Sequence, residues 1–162
     1  MNYVLYNSDK LPEHINDCIS NIIKIDADSK IYLSSDMPTN IGGVVSIENS
    51  KIASSQTKKL IEQNIYKGTN YEKNPLWQAS LLRIFILRDI VKKYELEDII
   101  HFDNDVLIYI EAKKLIKLFS KDKVNITRLN SDELIFGYSY FNNFQVLDNL
   151  CNEIYKLLEE ET

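Results

Sequence analysis

Apolar residues along this chain fall alternately into short runs and into helical spacings. Tyr3 to Tyr6 is the first run, with the turn-prone Asn7, Ser8 and Asp9 behind it, and it predicts a short strand. Pro12 suits the first turn of a helix. Ile15, Cys18, Ile19, Ile22 and Ile23 follow at i, i+3, i+4, i+7 and i+8, which is one apolar helical face. Lys30 to Ser34 reads as a second strand and Val44 to Ile47 as a third, with a polar loop containing Pro and Gly between them. Ser54 or Ser55 is placed to cap a helix that runs to about Tyr66 and is ended by Gly68.

The longest helical pattern spans Leu76 to Tyr94. On a helical wheel its apolar sector holds Leu76, Ile84, Leu87, Ile90, Val91 and Tyr94, and Arg83 falls inside that sector. Arg88, Asp89 and Lys92 fall on the other side, where solvent is expected. A strand over Asp98 to Phe102 comes next, then a short helix over Glu111 to Phe119 and strands over Val124 to Leu129 and Leu134 to Tyr140. The last helix, about Asn143 to Glu159, turns Leu147, Leu150, Cys151, Ile154, Leu157 and Leu158 toward a core.

Strands alternating with helices predict one α/β domain over residues 1–162, a layered and mostly parallel sheet flanked by helices. Crossovers in such sheets are right-handed, and ligands gather at the carboxyl ends of the strands. The loops after Tyr6, after Ser34 and at Asp103 are therefore expected along one rim.

One stretch disturbs the pattern. In HFDNDVLIY, residues 101–109, two carboxylates stand inside an otherwise apolar run. Unneutralised acids so close together are costly in a low-dielectric interior. In an extended segment Asp103 and Asp105 point the same way, with Cα atoms roughly 6.5–7 Å apart, and Asn104 points opposite. Such a pair offers hard oxygen ligands to Mg²⁺ or Mn²⁺, with phosphate oxygens completing the shell. The alternative is a strand that stops at Phe102 and leaves both acids in a solvated turn. Arg83 poses the matching question, because a guanidinium on a buried face needs an acidic partner or an anion unless its tip snorkels to an edge.

Composition adds boundaries. With 162 residues, 44% hydrophobic and 27% charged, the chain is an ordinary globular sequence of one domain. A net charge of −5 argues against a nucleic-acid surface, and any anionic ligand needs local donors or a cation. No apolar run approaches the roughly 20 residues of a membrane span, and the amino terminus lacks the pattern of a signal peptide. A cytoplasmic location without a membrane span is the expectation. Cys18 and Cys151 are isolated, which disfavours zinc or a disulfide framework. The first strand is not followed by G-x-G-x-x-G, and no P-loop is present. His101 reads as a packed histidine, and Trp77 and the tyrosines as core and interface.

Residues 74–109, NPLWQASLLRIFILRDIVKKYELEDIIHFDNDVLIY, resemble the nucleotide-sugar-binding half of a GT-A fold glycosyltransferase. In that family a helix carrying an Arg precedes a strand ending in a D-x-D motif. The resemblance implies a Rossmann-like GT-A sheet, a nucleoside diphosphate sugar donor and Mn²⁺ or Mg²⁺. Asp105 would ligate the metal, and Asp103 the metal, the ribose or both. Arg83 and Asn104 would lie near the nucleotide sugar, and Asn7, Ser8 and Asp36 near the base and ribose. It assigns no catalytic residue and no acceptor.

Members of that family run well beyond this length, and their later half supplies acceptor contacts and often a metal-binding His. Here the chain ends at Thr162 and its histidines are His14 and His101. The resemblance thus implies a short or truncated member, with a homo-oligomer or a partner domain supplying the acceptor side. Two rival readings use the same residues. A haloacid dehalogenase-like phosphatase would make the first acid a nucleophile and the second an acid/base. A non-catalytic binding module would hold the donor without turnover.

Overall fold

The computed structural model describes residues 1–63, 72–131 and 133–160. Six strands form one sheet: β1 (Asn2–Tyr6), β2 (Lys30–Ser35), β3 (Val44–Glu48), β4 (Ile99–Phe102), β5 (Asn125–Arg128) and β6 (Leu134–Phe141). Their order is β3-β2-β1-β4-β6-β5. The first four are parallel, β6 runs antiparallel to β4, and β5 pairs antiparallel with β6. The chain is thus a mixed α/β sheet, mostly parallel and flanked by helices, as the alternation of patterns predicts.

Strand alternation distributes the core onto two faces. Val4, Tyr32 and Ile99 point to one face, where α2 (Asn49–Ile52), α3 (Ser55–Glu62), α4 (Pro75–Lys93) and α6 (Phe144–Glu160) supply Ile52, Leu60, Phe85 and Leu147. Tyr3, Leu5, Ile31, Leu33, Ile100 and Phe102 point to the other. There α1 (Ile15–Ile25) and α5 (Ala112–Leu115) close over them with Ile15, Cys18, Ile19, Ile22 and Ala112. The strand cores are apolar on both sides because both sides are covered.

Local chemistry sets the helix starts. Asn74 accepts from the Leu76 amide at 3.0 Å with Pro75 in the first turn, and Ser54 accepts from the Thr57 amide at 3.3 Å. The predicted continuation of the Ser54-capped helix to Tyr66 and its stop at Gly68 lie outside the described residues. No helix among the described residues is long and apolar enough to cross a membrane.

Several sequence expectations are corrected. Arg88 and Asp89 were expected toward solvent but are 4% and 5% exposed. The cause is that α4 is covered by α6 and α3 as well as by the sheet, so its second side is also interior. There Arg88 binds Asp89 at 2.8 Å and Ser54 at 2.9 Å, while Asp89 accepts from the Ser54 amide at 2.8 Å and from the Thr57 hydroxyl at 2.5 Å. Leu76, in the first turn of α4, is exposed, and so are Ile23 and Leu157, all three expected on apolar helical faces. The short helix α2 was not anticipated.

The largest correction concerns the acid pair. β4 ends at Phe102, and the Val106 amide closes a turn on the Asp103 carbonyl at 3.1 Å. Residues 103–105 are therefore not an extended continuation of the strand, and the apolar run after them does not resume it. Ile108 is buried, whereas Leu107 and Ile110 are exposed and Tyr109 is 86% exposed.

Candidate functional site

Parallel strands end together, so β2, β1 and β4 deliver their next residues to one rim. Asn7 follows β1, and its amide bonds the Ser34 carbonyl of β2 at 2.9 Å. Asp36 follows β2. Asn104, one residue beyond Asp103, donates from Nδ2 to the Tyr6 carbonyl at 3.0 Å and reaches the Asn7 side chain at 3.5 Å. The expected meeting of the three loops is thus realised through side-chain amides.

The residue that ties the far end was not singled out in the sequence. Asn49, buried at the start of α2, donates to the Asn7 carbonyl at 2.9 Å and to Asp36 Oδ1 at 2.7 Å, and accepts from Ser34 Oγ. One amide holds the ends of β1 and β2 and the carboxylate between them. Its only sequence signal is an Asn at the exit of a short strand, where turn and cap roles are equally common.

Arg83 lies in the amino-terminal half of α4 and its Nη1 donates to Asp103 Oδ1. Its side chain is 17% exposed and that of Asp103 47%. The wheel argument therefore holds: the guanidinium is mostly buried and has an acidic partner. Its Nε has no hydrogen-bond partner, and neither has Asn104 Oδ1. On its opposite flank Asp103 is bounded by Gly137 of β6, where a Cβ would stand 3.2 Å from Asp103 Oδ2. A side chain at position 137 would crowd the carboxylate, and glycine leaves it open.

Asp105 is exposed in the turn. Its charge adds to burial, the larger cause, in raising the Cys18 thiol on α1 to about 11. Asp103 is thus engaged by α4 on one face of the sheet, while Asp105 is close enough to α1 on the other to be felt there. The two acids thus lie in a turn and not along one extended strand. Among the described residues no group of three or more His, Cys, Asp or Glu side chains is gathered to hold a metal ion.

His101, on the α4 side of β4, is fully buried. Its Nδ1 lies 2.8 Å from the Val4 carbonyl, which can only accept, so that nitrogen carries the proton. Burial first, and the Arg83 charge second, push its pKa down to about 3, so the ring is neutral. Tyr6 at the rim is pushed up to about 12, by burial and then by the Asp36 charge, with Ser8 and Arg83 opposing.

Three adjoining recesses form a trough along α4. One recess of about 300 Å³ holds Asp36, Asn49, Tyr6 and Ser8 against Leu82 and Ile86. A smaller one of about 140 Å³ holds Tyr6, Asn7, Ser8, Ser80 and Arg83. A third of about 600 Å³ runs from Arg83 and Asp103 between the start of α4 and the start of β6. Adjacent recesses share lining residues, Tyr6, Ser8 and Ala79 for the first two and Leu76, Ser80 and Arg83 for the last two. Asn7, Ser8, Asp36, Arg83 and Asp103 thus lie along one trough, with Asn104 bonded beneath it and Asp105 beyond its described lining.

The chain matches no family model and no curated protein. Solved structures do match it. The glycosyltransferase GlyE of Streptococcus pneumoniae TIGR4 aligns over 98% of this chain with a TM-score of 0.57 and 13% identity, and this chain spans 38% of its length. Mouse xyloside xylosyltransferase 1 aligns over 99% with a TM-score of 0.57 and 10% identity, 74% of that chain being covered. The PaToxG glycosyltransferase aligns over 99% with a TM-score of 0.53 and 13% identity, 61% of it being covered. At these identities the likeness is one of fold, shared with these three glycosyltransferases.

Proposed function

We propose that this chain binds a nucleoside diphosphate sugar and serves as a glycosyltransferase or as the donor-binding part of one. The observation that carries the reading is the trough across the carboxyl ends of β2, β1 and β4, with the Arg83–Asp103 pair at its centre. Its Asp36–Asn49 end offers acceptors to the N–H and O–H groups of a base and ribose. Asn7 and Ser8 lie between that end and the arginine. Arg83, mostly buried and lining the trough, supplies the cationic group that a diphosphate needs in a chain of net charge −5.

A divalent cation fits the chemistry of the turn in part. Asp105 is exposed and Asp103 half-exposed, so both can give carboxylate oxygen to Mn²⁺ or Mg²⁺. Two carboxylates are not a closed cage, so the diphosphate and water would complete the shell. When bound, such an ion neutralises charge on a departing diphosphate. Arg83 holds Asp103 in place on the helix side and adds its own positive charge to the same region.

The phosphatase alternative asks the first acid to attack phosphorus. Asp103 Oδ1 is taken by a guanidinium, which lowers its nucleophilicity, and this favours the transferase reading. The deciding experiment is a panel of nucleoside diphosphate sugars with Mn²⁺, read by thermal shift and by release of free sugar. Donor at about 100 Kd should add roughly 2.7 kcal/mol of stability. Binding with slow hydrolysis supports the proposal, binding without any hydrolysis or transfer supports the non-catalytic module, and no shift with any nucleotide rejects both.

A further inference from the structure

The trough does not end at Arg83. Beyond it, the recess of about 600 Å³ has a different character: Leu76 and Trp77 from α4 form one wall, and Leu134, Ile135 and Phe136 from β6 the other. Its charged lining groups are Arg83 and Asp103, which pair with each other where the recess joins the donor trough and leave the walls beyond uncharged. Leu134 is 61% exposed, and Leu76 and Trp77 are exposed as well. Large apolar side chains facing each other across an open cleft are unfavourable toward water unless a ligand covers them.

We propose that this recess takes the acceptor, and that the acceptor is a small hydroxylated molecule with an uncharged alkyl or aryl body, such as an alkyl or aryl glycoside. The inference rests on the glycosyltransferase reading and adds the class of acceptor to it. Three observations set the class. The recess is continuous with the donor trough through Ser80 and Arg83, so its occupant lies beside the donor. Ser80, Arg83 and Asp103 stand with Leu76 toward the shared end, and Trp77, Leu134, Ile135 and Phe136 line the rest, which matches a molecule with one hydroxylated and one apolar end. The volume is that of a small-molecule site, well below what a folded partner would need. An acidic or basic polymer finds no complementary charge on the walls.

The protein carries its own reporter, because Trp77 is the sole tryptophan and lines the recess. Hexyl β-D-glucoside, galactoside and xyloside are titrated below their micellar concentrations against the corresponding methyl glycosides. Trp77 emission and calorimetry are the readouts, each titration being made with and without a bound nucleoside diphosphate and Mn²⁺. At least one hexyl glycoside should bind about tenfold or more tighter than its methyl counterpart, shift the emission to the blue, and bind in the presence of nucleotide. Leu134→Asp should erase that preference while leaving nucleotide binding in place; the exposed position makes misfolding a minor concern, and circular dichroism checks it. Equal binding of hexyl and methyl glycosides, or a preference that survives Leu134→Asp, overturns the inference. So does mutual exclusion of glycoside and nucleotide, since donor and acceptor must be bound together. Nucleotide binding without any hexyl preference removes this inference and leaves the donor reading standing. A hexyl preference with no nucleotide bound by any member of the panel removes the donor reading and the acceptor assignment with it.

Discussion

Arg83 and Asp103 meet at the rim as an asymmetric pair: the arginine side chain is 17% exposed, the aspartate side chain 47%. The cation is anchored in the helix layer and the anion is open to the trough. Truncating the two sides should therefore cost different amounts. Arg83→Ala leaves a half-solvated acid and should lose about 1 kcal/mol in urea unfolding. Asp103→Ala leaves the more buried guanidinium unpaired and should lose more, about 2 kcal/mol. Both should weaken Mn²⁺-dependent nucleotide binding by more than about tenfold, each variant having lost a charged group at the trough's centre. Equal stabilities, or the opposite order, would show that burial does not govern the pair.

Asp105 should behave differently. It is exposed, so Asp105→Ala should shift stability by less than about 0.5 kcal/mol. Metal-dependent nucleotide binding should nevertheless be lost, since charge and coordination go together. Asp105→Asn should be nearly as damaging. If calorimetry finds that both variants bind Mn²⁺ and nucleotide like the parent, the acid is structural and the transferase reading falls.

The buried network around Arg88 separates stability from binding. Asp89→Ala removes the nearest acidic partner of the buried Arg88 side chain, leaving it Ser54, Gln56 and the more distant Asp148 at 3.8 Å, and takes the acceptor from the Ser54 amide and the Thr57 hydroxyl. A loss of about 3–5 kcal/mol is expected in denaturant unfolding. The folded fraction should bind nucleotide as the parent does, because none of these groups lines the trough. A large change in affinity would mean that α4 shifts as a body when the network is cut.

His101 makes an acid-sensitive contribution. Its pKa is depressed to about 3 in the folded state from an ordinary 6.5, so the unfolded chain binds the proton more readily. The stability it contributes is present above pH 6.5 and is lost progressively as pH falls from there toward 3, at up to about 1.4 kcal/mol per pH unit. His101→Phe should flatten that part of the stability curve relative to the parent. Parallel curves for the two proteins between pH 6.5 and 4 would refute the buried neutral ring.

Much of the architecture was legible because period and burial coincide. The runs at Tyr3–Tyr6 and Lys30–Ser34 lie within the observed strands, and Ile15, Cys18, Ile19 and Ile22 are all buried. Arg83 could be found because one charge interrupts an apolar sector. Arg88 and Asp89 misled for the converse reason: a wheel shows sides, and it cannot show that two sides are covered. The D-x-D was located by its residues, but the turn geometry depends on the Asp103 carbonyl and the Val106 amide, a backbone bond with no residue signature. Asn49 was missed because its partners lie on two other strand ends, 42 residues away at Asn7 and 13 at Asp36.

The reversal of β6 has a consequence for how the rim can go wrong. Because β6 opposes β4, its early residues reach the strand tips, and Phe102 pairs with Tyr138 so that the Asp103 amide meets the Gly137 carbonyl at 3.3 Å. A slip of one residue in that pairing would bring Phe136 or Tyr138 to the place of Gly137, an aromatic ring where the carboxylate now has room. The irregularity between Ile126 and Thr127 lies in the outer β5–β6 pairing, where Phe136, Gly137 and Tyr138 of β6 are left without a partner residue on β5, while β6 keeps its register against β4. A misaligned hairpin would thus yield a chain with its parallel strands intact and its trough plugged, a kinetic trap that circular dichroism would scarcely notice and a ligand would.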